Sequence, residues 1–64
     1  MYVLQWRPRD SFWGKFHDED WNNDIWLFYS RNHSMEHQTA RRDKLNLSNK
    51  FYEYRVIDSQ ENVV

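Results

Sequence analysis

The chain of 64 residues contains no cysteine, one glycine and one proline. Without cysteine there is no disulfide framework, no thiolate nucleophile, no iron–sulfur cluster and no cysteine zinc knuckle. A single glycine excludes the glycine-rich loops that cradle phosphates. Excess charge is missing too: nine basic residues balance ten acidic ones, for a net charge of −1. No strong field therefore draws the whole molecule to nucleic acid or to an anionic membrane, and electrostatic recognition must come from local patches. No apolar run approaches the roughly 20 residues that cross a bilayer. The start, Met1 to Arg7, lacks the charged region and long apolar stretch of a signal peptide. A cytoplasmic location and no membrane partner are the expectations.

What the chain does have is aromatic side chains. Four Trp, four Tyr and four Phe stand against only ten Val, Leu and Ile. A domain this short buries only about 60% of the surface its unfolded chain exposes, so large flat residues must supply most of its burial. The aromatic load argues for a folded chain despite 30% charged residues. One domain spanning 1–64 is expected, too small to wall off a substrate; enzyme is the least favoured class and no cofactor is expected.

Hydrophobic periodicity divides the chain into elements. Tyr2, Leu4 and Trp6 alternate with Val3, Gln5 and Arg7, the pattern of a strand. Pro8 ends it or marks an edge. Ser11 to His17 reads as a second strand, with Phe12 and Phe16 on one face, Trp13 and Lys15 on the other, and Gly14 as a bulge. His17 to Asp24 is polar and acidic and reads as a loop. Ile25 to Tyr29 fits a strand or, with Trp21, a helical stripe; its aromatic enrichment favours the strand. From Ser34 to Leu45 helix formers concentrate behind a capping Ser34 or Asn32. Phe51 to Asp58 alternates again, Tyr52, Tyr54 and Val56 opposite Phe51, Glu53, Arg55 and Ile57, and residues 59–64 are expected to fray. The fold class is α+β: a three- to four-stranded, mostly antiparallel sheet with one helix.

Such a helix must cover one face of the sheet, yet it offers only Met35, Ala40, Leu45 and the methyl of Thr39. Two arrangements resolve the mismatch. The loop bearing Trp21 folds over the second face, or a surplus of aromatic surface remains for a partner, since large exposed apolar patches mark interaction sites and Trp and Tyr dominate binding hot spots. The favoured reading is a protein-binding module that occludes a site on another protein. Trp13, Trp21 and Trp26 would form the patch, Asp18 and Asp20 its acidic flank, and Arg41 and Arg42 a further contact on the helix. Self-association into a homo-oligomer is a further possibility.

Other constellations are weaker. His33-Ser34-Met35-Glu36-His37 spells the H-x-x-E-H motif of inverted zincins, but a catalytic zinc needs a third ligand and a cleft, and His17 is the one histidine left. Asp18, Glu19, Asp20 and Asp24 lack calcium-loop spacing and its glycine; a solvated loop is their default. Arg7, Arg9, Arg41, Arg42, Lys44, Lys50 and Arg55, with sheet aromatics, allow single-stranded nucleic-acid binding as the alternative function. Asp43 and Glu53 interrupt that basic set.

The order of an N-terminal strand, a Trp-bearing strand, a helix with Ala40-Arg41-Arg42 and a final Phe51–Asp58 strand holding Tyr54-Arg55-Val56 resembles small accessory proteins encoded by bacteriophages. The resemblance implies a non-enzymatic protein that binds and inhibits or redirects a host enzyme or defence complex. It transfers no catalytic residue.

Overall fold

The computed structural model describes residues 1–14, 20–23 and 33–64. Strand β1 spans Val3–Pro8, a single helical turn α1 spans Asp10–Trp13, a short strand β2 covers Asn22–Asn23, helix α2 runs from Met35–Ser48 and strand β3 from Tyr52–Ile57. The sheet is antiparallel in the order β2-β1-β3. The fold is therefore α+β, with one three-stranded sheet and one main helix among the described residues.

β1 and β3 form where alternation is strongest, and their register keeps the two faces separate. Leu4 pairs with Val56 and Trp6 with Tyr54 on one face, while Val3 pairs with Ile57, Gln5 with Arg55 and Arg7 with Glu53 on the other. Helix α2 lies against the first face: Leu4 and Val56 are almost fully buried there, and the Tyr54 hydroxyl accepts a hydrogen bond from Asn49 Nδ2 at 3.1 Å. Each such buried side chain contributes about 1.5–3 kcal/mol. Among the described residues only Leu4, Val56 and Ile57 form a buried apolar core.

α2 starts where its cap permits. The Ser34 hydroxyl accepts from the His37 N–H at 3.2 Å, satisfying one of the free donors of the first turn. The helix continues to Ser48, beyond the expected end at Leu45, because the Asn49 N–H still reaches the Leu45 carbonyl at 2.9 Å. Its contact with the sheet is not the apolar stripe that the layer rule demands. Met35 and Ala40 are exposed, Leu47 is 90% exposed, and the buried residue of the helix is Gln38, whose Nε2 donates to the Tyr2 carbonyl.

Amide side chains join helix to sheet instead, and they do so along an edge. The antiparallel register turns the peptide groups of Tyr52, Tyr54 and Val56 away from β1. Asn46 meets both groups of Tyr54, accepting its N–H at 2.8 Å and donating to its carbonyl at 3.1 Å. Asn49 Oδ1 accepts the N–H groups of Phe51 and Tyr52. The Arg9 guanidinium donates to the carbonyls of Tyr52, Asn49 and Asn46 at 3.0, 3.2 and 2.9 Å. The last turn of α2 has no basic residue of its own, so Arg9 also supplies the cation its negative end favours.

Residues 59–64, expected to fray, close the rest of that edge. Val63 bridges to Ile57, the Val64 N–H reaches the Val56 carbonyl and the Asp58 N–H reaches the Asn62 carbonyl, both at 2.9 Å. The turn between them is built on Asp58, whose Oδ1 accepts from the Gln60 and Asn62 N–H groups. Those backbone donors, Asn62 first, hold its carboxyl below the usual carboxylate range. The turn ends on Glu61 at φ 63°, in the left-handed region. An edge strand with its outward groups satisfied is a poor template for added strands.

Two further expectations change. Ser11 to Gly14 do not begin a strand: Phe12 and Trp13 donate to the Arg9 carbonyl and Gly14 to the Asp10 carbonyl, one helical turn that overrides the β preference of Phe and Trp. Gly14, at φ 69° and ψ −142°, is the C-terminal cap of that turn and not a bulge, in a conformation that favours glycine. Asn22 and Asn23, read as loop, pair with Trp6 and Gln5. The ambiguous Ile25–Tyr29 segment lies outside the described residues. Among the described residues no helix is long and apolar enough to cross a membrane.

Candidate protein-docking surfaces

The reversal at α1 determines where Phe12 and Trp13 go. The turn after Pro8 carries both rings onto the beginning of β3, where the Arg9 N–H and Trp13 Nε1 donate to the same Phe51 carbonyl, at 2.9 and 2.8 Å. Phe12 meets Phe51 edge-on with ring centres 4.6 Å apart, and meets Trp13 at 5.1 Å. Trp13 also lies 6.3 Å from Tyr52, which stands edge-on to Trp6 at 5.2 Å. Edge-to-face pairs of this kind contribute about 0.5–1.5 kcal/mol beyond their buried area.

The cluster is anchored on its inner side and open on its outer one. Phe12, Trp13 and Phe51 remain 48%, 44% and 39% exposed. Beside them an open cleft of about 600 Å³ runs between Arg9, Ser11 and Phe51 on one side and the end of α2, including Leu47, on the other. The Lys50 ammonium lies 5.4 Å from the Phe51 ring centre. One end of the domain thus presents a contiguous apolar surface with a basic residue at its margin.

Trp21 is in a different place. It is half-buried on the sheet face opposite α2, with the guanidinium carbons of Arg7 and Arg55 each 4.4 Å from its ring centre. These contacts are held from behind: Arg7 pairs with Glu53, and Arg55 Nε donates to Gln5 Oε1 at 2.8 Å. Gln5 in turn donates to Asn23 in β2. A shallow pocket of about 510 Å³ is lined by Gln5, Asp20, Trp21, Arg55, Ile57 and Glu61. Trp21 therefore folds over the second face, the first of the two arrangements open to the sequence.

The seven residues singled out for docking do not form one surface. Trp13 belongs to the end cluster, Asp20 and Trp21 to the outer sheet face, and the sheet lies between them. Asp18 and Trp26 lie outside the described residues. Arg41 is half-buried on α2; Arg42 donates to the Val64 carbonyl at 2.7 Å and pairs with Asp43, so it ties the tail to the helix. Phe12, Phe51 and Leu47 are not among the seven, and Lys50 stands only in the basic set of the nucleic-acid alternative. The missed signal was Asp10-Ser11-Phe12-Trp13-Gly14: an acidic residue opening a helical turn and a glycine closing it. Among the described residues no third His, Cys, Asp or Glu joins His33 and His37 as a metal-ligand group.

Comparison with protein-family models, with curated proteins and with solved structures finds no match for this chain. Function must be read from the surfaces themselves.

Proposed function

We propose that this chain is a small non-enzymatic protein-binding module that acts by covering a site on its partner. The observation that carries this reading is the end cluster: three neighbouring aromatic rings, each between a third and a half exposed, with Leu47 and the open cleft beside them. Trp13 is the anchor, since its indole is fixed by the Phe51 carbonyl and loses little freedom on binding. The partner that fits is an apolar segment of another protein with an acidic residue to meet Lys50. An inhibitory role in the cytoplasm, toward a host enzyme or defence complex, goes with the outline resemblance to bacteriophage accessory proteins.

Binding of single-stranded nucleic acid has less support. α2 lies on one face of the sheet, and on the other face Trp21 is already stacked against Arg7 and Arg55.

The test compares Leu47→Asp and Phe12→Ser, on the end cluster, with Trp21→Ala on the opposite face, in capture from host extract and in sedimentation. The reading expects one captured species that both end-cluster variants lose and Trp21→Ala retains. Equal capture by folded end-cluster variants would refute it, and concentration-dependent sedimentation abolished by Leu47→Asp would assign the surface to self-association.

A further inference from the structure

We infer that the cleft between Arg9 and the end of α2 is a carboxylate site, and that the protein segment docked there carries an Asp or Glu within one helical turn of its apolar anchor. The inference rests on the end cluster being the docking surface and adds the group that selects the partner. The chain as a whole has ten acidic residues against nine basic ones. The cleft departs from that balance. Arg9 and Lys50 line it, no acidic residue among the described ones does, and Ser11 and Ser48 add two exposed hydroxyl side chains. A concave surface lined by one sign of charge concentrates its field on a group of the opposite sign.

Arg9 is set before any ligand arrives. Its Nε donates to the Asn49 and Tyr52 carbonyls and its Nη2 to the Asn46 carbonyl, whereas Nη1 donates to none among the described residues. Three carbonyls thus fix the guanidinium plane, so a carboxylate that meets its remaining donors costs little side-chain freedom. Lys50 brings a second cation to the junction with the apolar rings, its ammonium 5.4 Å from the Phe51 ring centre. Phe51 lines the cleft and packs edge-on against Phe12, so the carboxylate site and the apolar surface share a wall. Adjoining subsites of this kind are filled by side chains three or four positions apart on a helix, or two apart on a strand. A neutral amide would fit the space but would not form charge-assisted bonds to both cations.

The experiment presents a displayed library of random peptides to the immobilised full chain and discards those that also bind its Leu47→Asp variant. The selected peptides should share an apolar residue with an Asp or Glu within one helical turn of it. Lys50→Glu and Ser11→Glu, both at exposed positions and checked for folding by their melting curves, should each weaken the best peptide at least about tenfold. Exchanging the peptide's acidic residue for Lys should restore binding to Lys50→Glu. In the parent chain the Arg9 guanidinium resonances should shift on titration with the acidic peptide and not with its amide counterpart. Apolar peptides with no acidic preference would overturn the carboxylate site and leave the docking surface standing. Acidic peptides whose affinity survives both substitutions would do the same, since the acid would then be read elsewhere. No peptide lost on Leu47→Asp would overturn the docking surface as well.

Discussion

Asn46 is the most informative residue to perturb, because it does for Tyr54 what a neighbouring strand would do. Replacement by Ala removes two hydrogen bonds, at 2.8 and 3.1 Å, and leaves a peptide N–H and a carbonyl facing the end of a helix. Each such bond contributes a net 0.5–1.5 kcal/mol, and each group left unsatisfied costs about 1–3 kcal/mol where water cannot reach it. Tyr54 and Asn46 are half-buried, so water recovers part of that cost. Asn46→Ala should therefore destabilise by about 2 kcal/mol, which lowers the melting temperature by roughly 8–16 °C in a domain of this size. Asn46→Asp discriminates further. It keeps an acceptor for the Tyr54 N–H but sets a carboxylate oxygen against the Tyr54 carbonyl, so at neutral pH it should be no more stable than Ala. Urea denaturation followed by far-ultraviolet circular dichroism and by Trp fluorescence measures both, with Leu47→Ala as the control, expected within about 0.5 kcal/mol of the parent because Leu47 is almost wholly exposed. If Asn46→Ala also falls within that margin, the polar clamp does not hold α2 to the sheet and the reasoning fails.

Two further predictions concern the tail. Glu61 stands at φ 63°, where an L-residue with a Cβ is disfavoured by about 1–2 kcal/mol and glycine is not. After the entropy that glycine adds to the unfolded chain, Glu61→Gly should raise stability by about 0.5 kcal/mol, read as a higher urea midpoint at unchanged slope. The second is a pH dependence. The carboxyl of Asp58 titrates lower in the folded chain than in the unfolded one because backbone N–H groups, Asn62 first, bond its charged form. Its contribution is therefore complete above the usual carboxylate range and disappears as pH falls through the lower folded value. Asp58→Asn, which can still accept those bonds, should flatten the acid side of a melting-temperature profile; an unchanged acid limb would show that the turn does not stabilise the domain.

Much of the architecture was legible. Alternation in Tyr2–Arg7 and Phe51–Asp58 assigned each side chain to its face, and the structure keeps those faces; Ser34 with the helix formers behind it placed α2. The remainder was hidden for identifiable reasons. Phe12 and Trp13 have β preference, and four residues give too short a window for a period, so the helical turn is decided by Arg9, Asp10 and Gly14. Asn22 and Asn23 are poor strand formers that pair only because β1 offers an open edge. The tail looked frayed because its turn depends on a side-chain acceptor, Asp58, and not on a Gly or Pro.

The candidate surfaces were legible in kind and not in place. The sequence by itself determined that aromatics exceed aliphatics, that one helix has too little apolar surface for the sheet, and that no cysteine staples the chain. Only the tertiary structure decided how the shortage is met: Gln38, Asn46, Asn49 and Arg9 hydrogen-bond the backbone where apolar side chains were expected. Trp21 is covered by arginines on one face while Phe12, Trp13 and Phe51 stay open at one end. The physical reason is that polar bonds between side chain and distant backbone leave no periodicity in a sequence. They exist only once a register has brought an outward-turned peptide group within about 3 Å of an amide.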